Sequence, residues 1–338
     1  MLVKEAMLYD KGDDGYVSCR LCSHRCRIKP GMRGICGVRE NRQGSLYSLV
    51  YGLIIAENVD PIEKKPLFHF YSGSVSYSIA TVGCNFRCAF CQNHEISQLP
   101  RESDEIAGRS TEPEDIVMRA VQSGAKSISY TYTEPTIYFE YAYDIARFAR
   151  EKGLANVFVT NGYMTAEVLD VMGSCLNAAN VDLKSFSDDF YRTYCGARLQ
   201  PVLDTLAKMK AMGVWVEVTT LLIPGLNDSD EELEQIARFI ADLGKETPWH
   251  ISRFHPRYRM ESVSATPSGS IRRAIQIGKE AGLDYVYSGN IPGDEGENTF
   301  CAACDERLIG RYGYRIEEYY LEQGRCPRCG NLIAGTFV

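Results

Sequence analysis

No apolar run in the 338-residue chain approaches the roughly 18 residues that a membrane-spanning helix requires. Its opening, Met-Leu-Val-Lys-Glu-Ala-Met, lacks the apolar stretch of a secretory signal, so export is not expected and the cytoplasm is the expected location. A basic excess is missing too. The 37 Lys and Arg against 44 Asp and Glu give a net charge of −7, without the cationic surplus that nucleic-acid binding uses. Nor is the composition that of a disordered or fibrous chain: apolar residues make up 45% and charged residues 24%. The length suffices for one large domain, alone or with small satellites.

Cysteine is plentiful, with 13 in the chain. Disulfides are a poor explanation, because the chain is long, has no export signal and carries enough strand and helix patterns to fold without staples. Grouping points to metal instead. Cys19, Cys22, Cys26 and Cys36 stand near the start, Cys84, Cys88 and Cys91 at about one quarter, and Cys301, Cys304, Cys326 and Cys329 near the end. Cys175 and Cys195 fall outside the groups and read as small buried apolar side chains, with Cys195 close enough in sequence to a strand end to face a site.

Between the first and last groups, β-type runs alternate with helical periods. Strands are predicted at Tyr77 to Val82, Ser127 to Tyr132, Asn156 to Thr160, Ala179 to Leu183, Val214 to Leu222 and His250 to Phe254. Helices are predicted from Thr111, where Thr111 and Glu114 have capping-box spacing, and over Ile137 to Arg150, Val202 to Met212 and Asp230 to Leu243. The last begins at a second box formed by Ser229 and Glu232. Consecutive strands joined through helices imply a parallel sheet with right-handed crossovers. The expected fold is α/β, a partial or full (β/α) barrel of TIM type, over residues 76–290. Cysteine-rich metal modules flank it at 1–75 and 291–338. A doubly wound sheet is the alternative, but the turn after the first strand, Gly83-Cys84-Asn85-Phe86-Arg87-Cys88, is not a glycine-rich phosphate loop.

Cys84-x-x-x-Cys88-x-x-Cys91 places three thiolates in one short loop, enough for three irons of a [4Fe-4S] cubane with the fourth iron open. A zinc knuckle borrowing His94 is the plainer reading of the same residues. The spacing, with Phe90 just before the last cysteine and a strand just before the loop, resembles the signature of radical S-adenosylmethionine (SAM) enzymes. The likeness over about 76–260 is to the pyruvate formate-lyase activating enzyme type, and with the flanking modules it is nearest to the AmmeMemoRadiSam-system branch. It implies a [4Fe-4S] cluster and SAM as cofactors. The expected reaction is reductive cleavage of SAM to methionine and a 5′-deoxyadenosyl radical, which abstracts hydrogen from a substrate.

The same likeness assigns further residues, each at the end of a predicted strand, where barrel folds carry their chemistry. Thr131-Tyr132-Thr133-Glu134-Pro135 resembles the family's Gly-Gly-Glu-Pro, making Glu134 the acceptor for the SAM ammonium. Otherwise Glu134 is a first-turn carboxylate of the following helix. Thr160-Asn161-Gly162 resembles Asp-Thr-Asn-Gly, with Val159 where the activating enzymes have aspartate, and Asn161 either bonds the cofactor or forms a turn. Asp182-Leu183-Lys184 matches Asp-Leu-Lys, so that Asp182 and Lys184 reach SAM or else make a rim salt bridge. His255, in Phe254-His255-Pro256, resembles a histidine near the nucleoside. Arg253, Arg257, Tyr258 and Arg259 could hold an anionic substrate or simply face solvent.

The closing knuckles, Cys301-x-x-Cys304 and Cys326-x-x-Cys329, have zinc-ribbon or rubredoxin spacing, and zinc is preferred over iron. The first group fits neither a ferredoxin run nor a common zinc finger, leaving zinc, narrowly preferred, or a second [4Fe-4S] cluster. Glycyl-radical activases with auxiliary clusters carry an eight-cysteine insert after the triad, and this chain has none. Hydrogen abstraction from a glycine of a partner protein therefore competes with action on a small molecule or another protein. A low-potential donor such as ferredoxin or flavodoxin is the expected electron source. From a different class, a non-catalytic iron-sulfur carrier explains the cysteines but not the carboxylates and Lys184.

Overall fold

Alternating strands and helices assemble into one eight-stranded sheet in a computed structural model that describes residues 3–337. Its strands are β1 (Ala56–Pro61), β2 (Val75–Ala80), β3 (Ser127–Tyr130), β4 (Ala155–Thr160), β5 (Ala178–Asp182), β6 (Trp215–Leu222), β7 (Trp249–Arg253) and β8 (Val286–Gly289). They lie side by side in chain order, β2 to β8 parallel and β1 antiparallel to β2. A doubly wound sheet would reverse its order partway, and this one does not. Its edges, β1 and β8, are not paired with each other, so the barrel is partial. Residues at the ends of strands as far apart as β3 and β7 nevertheless line one cavity, which requires the sheet to curl.

Six helices make the crossovers: α1 (Pro113–Gln122), α2 (Phe139–Glu151), α3 (Ala166–Met172), α4 (Gln200–Ala211), α5 (Asp230–Leu243) and α6 (Ser268–Glu280). In α5, Leu233, Ile236, Ala237 and Ile240 form one buried face. Ser229 caps it by accepting from the Glu232 amide at 3.3 Å. Glu232 does not complete the box, because its carboxylate turns instead to Ser185 Oγ and the Phe186 amide beyond β5. The helix expected from Thr111 starts at Pro113 with Glu112 as its cap and no side-chain capping bond. Proline at the first helical position explains the shift, since it holds the residue before it extended.

Two strands of this sheet escape the sequence patterns. β1 reads Ala-Glu-Asn-Val-Asp-Pro, half of it exposed, and is recruited into the sheet from within 1–75 by pairing with β2. The four-residue β8 adds a seventh parallel strand after α6. Between β1 and β2 the chain crosses the concave face. Asn180 on β5 donates to the Pro66 carbonyl at 2.8 Å, and Glu217 on β6 accepts from the Phe68 and His69 amides at 2.9 and 2.8 Å.

The N-terminal segment shares the hydrophobic core of the barrel, through Val17, Leu21, Ile28 and Val38 among others. A buried ion pair fastens it: both Nη atoms of Arg39 meet the Glu140 carboxylate on α2, at 2.8 and 2.9 Å. The last segment keeps a core of its own, in which Leu308, Ile309, Cys301 and Cys326 pack with Phe68, Tyr285 and Tyr287. Among the described residues no helix is long and apolar enough to cross a membrane.

Candidate active site

The strands β2 to β7 deliver their C-terminal ends around one cavity of about 490 Å³, and the loops there carry its chemistry. Cys84, Cys88, Cys91 and Phe90 line it from the loop after β2, Glu134 from the loop after β3, Asn161 from the end of β4, and Asp182 and Lys184 from the end of β5. Every residue expected at the SAM site lines it except His255. That side chain stands exposed outside the cavity. Its neighbours are occupied at the surface: Arg253 Nε donates to the Thr266 carbonyl at 2.8 Å, Tyr258 to Glu102 at 2.6 Å, and Arg257 and Arg259 face Glu95 and Glu102.

Glu134 is the most heavily bonded group in the cavity wall. Its Oε1 accepts from the Thr136 amide (3.1 Å), Thr136 Oγ1 (2.5 Å) and Thr160 Oγ1 (2.8 Å), and its Oε2 from the Asn161 amide at 2.9 Å. It therefore caps the short helix Pro135–Tyr138, as a first-turn carboxylate would, and also binds β4 to β3. Burial pushes its carboxyl above the usual range, opposed by those bonds. With one bond made, Oε2 keeps capacity to accept another.

Tyr132 explains how a loop without the family's two glycines keeps its shape. Its φ is +61°, in the left-handed region that glycine occupies at little penalty and tyrosine at about 1–2 kcal/mol. Anchors hold it there. Asn93 Nδ2 donates to its carbonyl at 2.8 Å, its hydroxyl bonds Asp60, and Lys65 Nζ lies 4.7 Å from the ring centroid.

Around the triad, donors point at sulfur. The Phe86 amide lies 3.3 Å from Cys84 Sγ, Asn161 Nδ2 3.8 Å from the same atom, and Ser97 Oγ 3.3 Å from Cys91 Sγ. Such donors suit thiolates that bind metal. Burial lifts the Cys84 and Cys91 thiols. For Cys88 the neighbouring Cys195 thiol is the first cause of the rise, then burial. Cys195 is thus fully buried beside the triad, while Cys175 is only partly covered. Lys184 Nζ lies 2.9 Å from Asp182 Oδ2 and 5.8 Å from the Phe90 ring centroid. Burial pulls its ammonium pKa down, but Asp182 and the thiols of Cys88 and Cys195 outweigh this and hold it well above the ordinary value.

Sequence patterns gave no sign of the far wall. Lys64, Lys65, Ser252, Asn290 and Tyr314 also line the cavity. Lys65, within the charged run Glu63-Lys64-Lys65, is buried against Asp60 at 2.6 Å, and burial draws its pKa down to about 8. Tyr314 sits in the turn between the C-terminal strands Arg307–Tyr312 and Arg315–Tyr319, a placement only the tertiary packing creates.

A separate centre lies in the last segment. The Sγ atoms of Cys301, Cys304, Cys326 and Cys329 lie within 4.8 Å of one another, with Cys301 and Cys329 at 3.6 Å and Cys304 and Cys326 at 3.7 Å. A tetrahedron with metal–sulfur bonds of about 2.3 Å has edges of about 3.8 Å, so the set fits a single tetrahedral ion.

A sequence model of the Radical SAM superfamily matches residues 78–240. An uncharacterised protein of Methanocaldococcus jannaschii, MJ0808, is 48% identical over 334 residues, covering 98% of this chain and 99% of its own. The pyruvate formate-lyase 1-activating enzyme of Escherichia coli K12 is 20% identical over 61% of this chain and 89% of its own. Among solved structures, a radical SAM methyltransferase from Sphaerobacter thermophilus shares the fold. Its TM-score is 0.51 at 18% identity, over 68% of this chain and 71% of its own.

Proposed function

This chain belongs to the radical SAM superfamily, and from that premise we propose that it is an activating-enzyme-type hydrogen abstractor whose cluster binds at Cys84, Cys88 and Cys91. The observation that carries the reading is the single cavity in which three thiols, Glu134, Asn161, Asp182 and Lys184 meet. When bound, the cluster and SAM together supply reductive cleavage of the sulfonium to methionine and a 5′-deoxyadenosyl radical. The chain's own residues orient and shield. Glu134 Oε2 accepts from the amino group of SAM, Lys184 pairs with its carboxylate, and Phe90 excludes water from the triad. Asn161 bonds both the Cys84 sulfur and Asn85, holding the loop for its ligands.

A partner enzyme of the glycyl-radical kind is the substrate suggested by the similarity to a putative glycyl-radical enzyme activating enzyme of Methanocaldococcus jannaschii. The far wall supports a second reading, an anionic small molecule, because Lys64, Lys65 and Tyr314 line the cavity and the two lysines share the single carboxylate of Asp60. A low-potential protein reductant completes either scheme. For the C-terminal four cysteines zinc is proposed, as a structural ion closing a small ribbon.

The test is anaerobic: iron and sulfide are reconstituted, the protein is reduced, SAM is added, and 5′-deoxyadenosine and methionine are quantified. Product from the parent and none from Cys91→Ala is expected. Equal product from both, or a reduced cluster whose EPR spectrum SAM leaves unchanged, would overturn the proposal.

A further inference from the structure

Thiols also converge at a second buried place. Cys19, Cys22, Cys26 and Cys36, more than ten residues apart at their ends, line one largely enclosed hollow together with Ile137 and Arg39. Spacing fits neither a ferredoxin run nor a common zinc finger here and left zinc narrowly preferred; the geometry leans the other way. Among the described residues, only the C-terminal four cysteines bring their sulfurs within the 4.8 Å that a single ion gathers. The N-terminal four surround a space instead of a point. Four thiolates around a space is the ligand set of a cubane, one to each iron. Cys84, Cys88 and Cys91 share this wider arrangement, being likewise outside the close set.

Arg39 is an independent observation. Its side chain is 2% exposed, its Nη atoms are engaged by Glu140 and the Met7 carbonyl, and its Nε has no hydrogen-bond partner. A buried N–H without an acceptor is unfavourable by about 1–3 kcal/mol, so its presence in the wall of a thiol-lined hollow points to an anionic acceptor there. A cluster with four thiolates is such an acceptor, and N–H···S bonds of this kind tune its potential.

We propose that Cys19, Cys22, Cys26 and Cys36 bind a second [4Fe-4S] cluster, fully ligated by protein and adjoining the first. The segments that carry the two thiol sets are in contact. The Cys36 carbonyl is 3.2 Å from where a Cβ on Gly83 would stand, and Gly83 precedes Cys84. Arg101 spans the two, donating from Nε to the Ile35 carbonyl at 2.7 Å and from Nη2 to the Cys84 carbonyl at 2.8 Å.

The full chain, reconstituted anaerobically with iron and sulfide in the presence of zinc, tests this by acid-labile sulfide, iron and zinc counts and by EPR of the reduced state. The parent should hold about eight sulfides, and the triple variant Cys84→Ala, Cys88→Ala, Cys91→Ala about four, with a cluster EPR signal that SAM does not alter. A lone iron in the C-terminal knuckles brings no sulfide and cannot imitate this result. The converse variant, Cys22→Ala with Cys26→Ala, should keep about four sulfides and a signal that SAM does alter. Absence of sulfide from the triple variant, with about two zinc ions per chain, would overturn the proposal in favour of a zinc site. Undiminished sulfide in the converse variant would overturn it as well. If instead the parent and the triple variant both hold about four, the N-terminal cluster stands and the triad assignment fails.

Discussion

Glu134→Gln separates the two duties of the carboxylate that ties β3 to β4. Glutamine fills the same volume but replaces one accepting oxygen by a donating amide. Placed at Oε2, that amide meets the Asn161 N–H 2.9 Å away. Placed at Oε1, it meets the Thr136 N–H at 3.1 Å. Either orientation sets donor against donor in a site that is 1% exposed. One buried unsatisfied donor and weaker remaining bonds together lower stability by roughly 2–4 kcal/mol. With the carboxylate holding the SAM ammonium as proposed, loss of its charge should weaken SAM binding by about 1.5–3 kcal/mol, or roughly 10- to 150-fold in Kd. Thr136→Val serves as the control. It removes one bond to the same oxygen and leaves the charge, so it should lower stability by about 1 kcal/mol with SAM affinity unchanged. Denaturant unfolding and titration of the reduced protein with SAM supply the two readouts. Parent-like SAM affinity in Glu134→Gln, with stability reduced, would show that the carboxylate only caps and braces, and would refute its assignment to the cofactor.

Gly83→Ala should destabilise by roughly 2–4 kcal/mol in thermal or denaturant unfolding, because φ there is +99° and the new Cβ would lie 2.6 Å from Val38 Cγ1; a neutral result would mean that the N-terminal strands do not pack there. Cys326→Ser should release one equivalent of metal on elemental analysis and loosen the turn holding Tyr314, seen as faster amide exchange over Arg307–Tyr319; unchanged metal content would remove the tetrahedral site. Stability should also fall in acid through His69. Burial takes its pKa from 6.5 to about 4, so the unfolded chain binds the proton first as pH drops. Its contribution, about 3 kcal/mol, is complete above about pH 6.5, declines toward about pH 4 and is gone below that, which unfolding midpoints across that range in His69→Gln and parent would reveal.

Whatever rests on neighbours in the chain is legible in the residues themselves. The triad spacing, the paired C-terminal knuckles, six of the seven parallel strands and the Ser229 cap are all local patterns, set by side-chain period, ligand reach and turn chemistry over a few residues. The placement of Asp182 and Lys184 on one cavity follows from their position at a strand end, which periodicity exposes. The rest depends on contacts between residues far apart in the chain. β1 is a polar, partly exposed segment that becomes a strand only because β2 offers it an edge, and Lys65 turns inward, while Lys64 beside it stays exposed, because Asp60 and Tyr132 are there to receive it. Arg39 and Glu140 are 101 residues apart and Thr160 is 26 from Glu134, distances over which no local pattern carries information. His255 illustrates the opposite limit: its motif sits at a strand end, yet the backbone beyond β7 leads the side chain out to solvent. Spacing along the chain says which thiols can share a metal, whereas the separation of their sulfurs, which says what kind of centre they hold, exists only once the strands that carry them have packed.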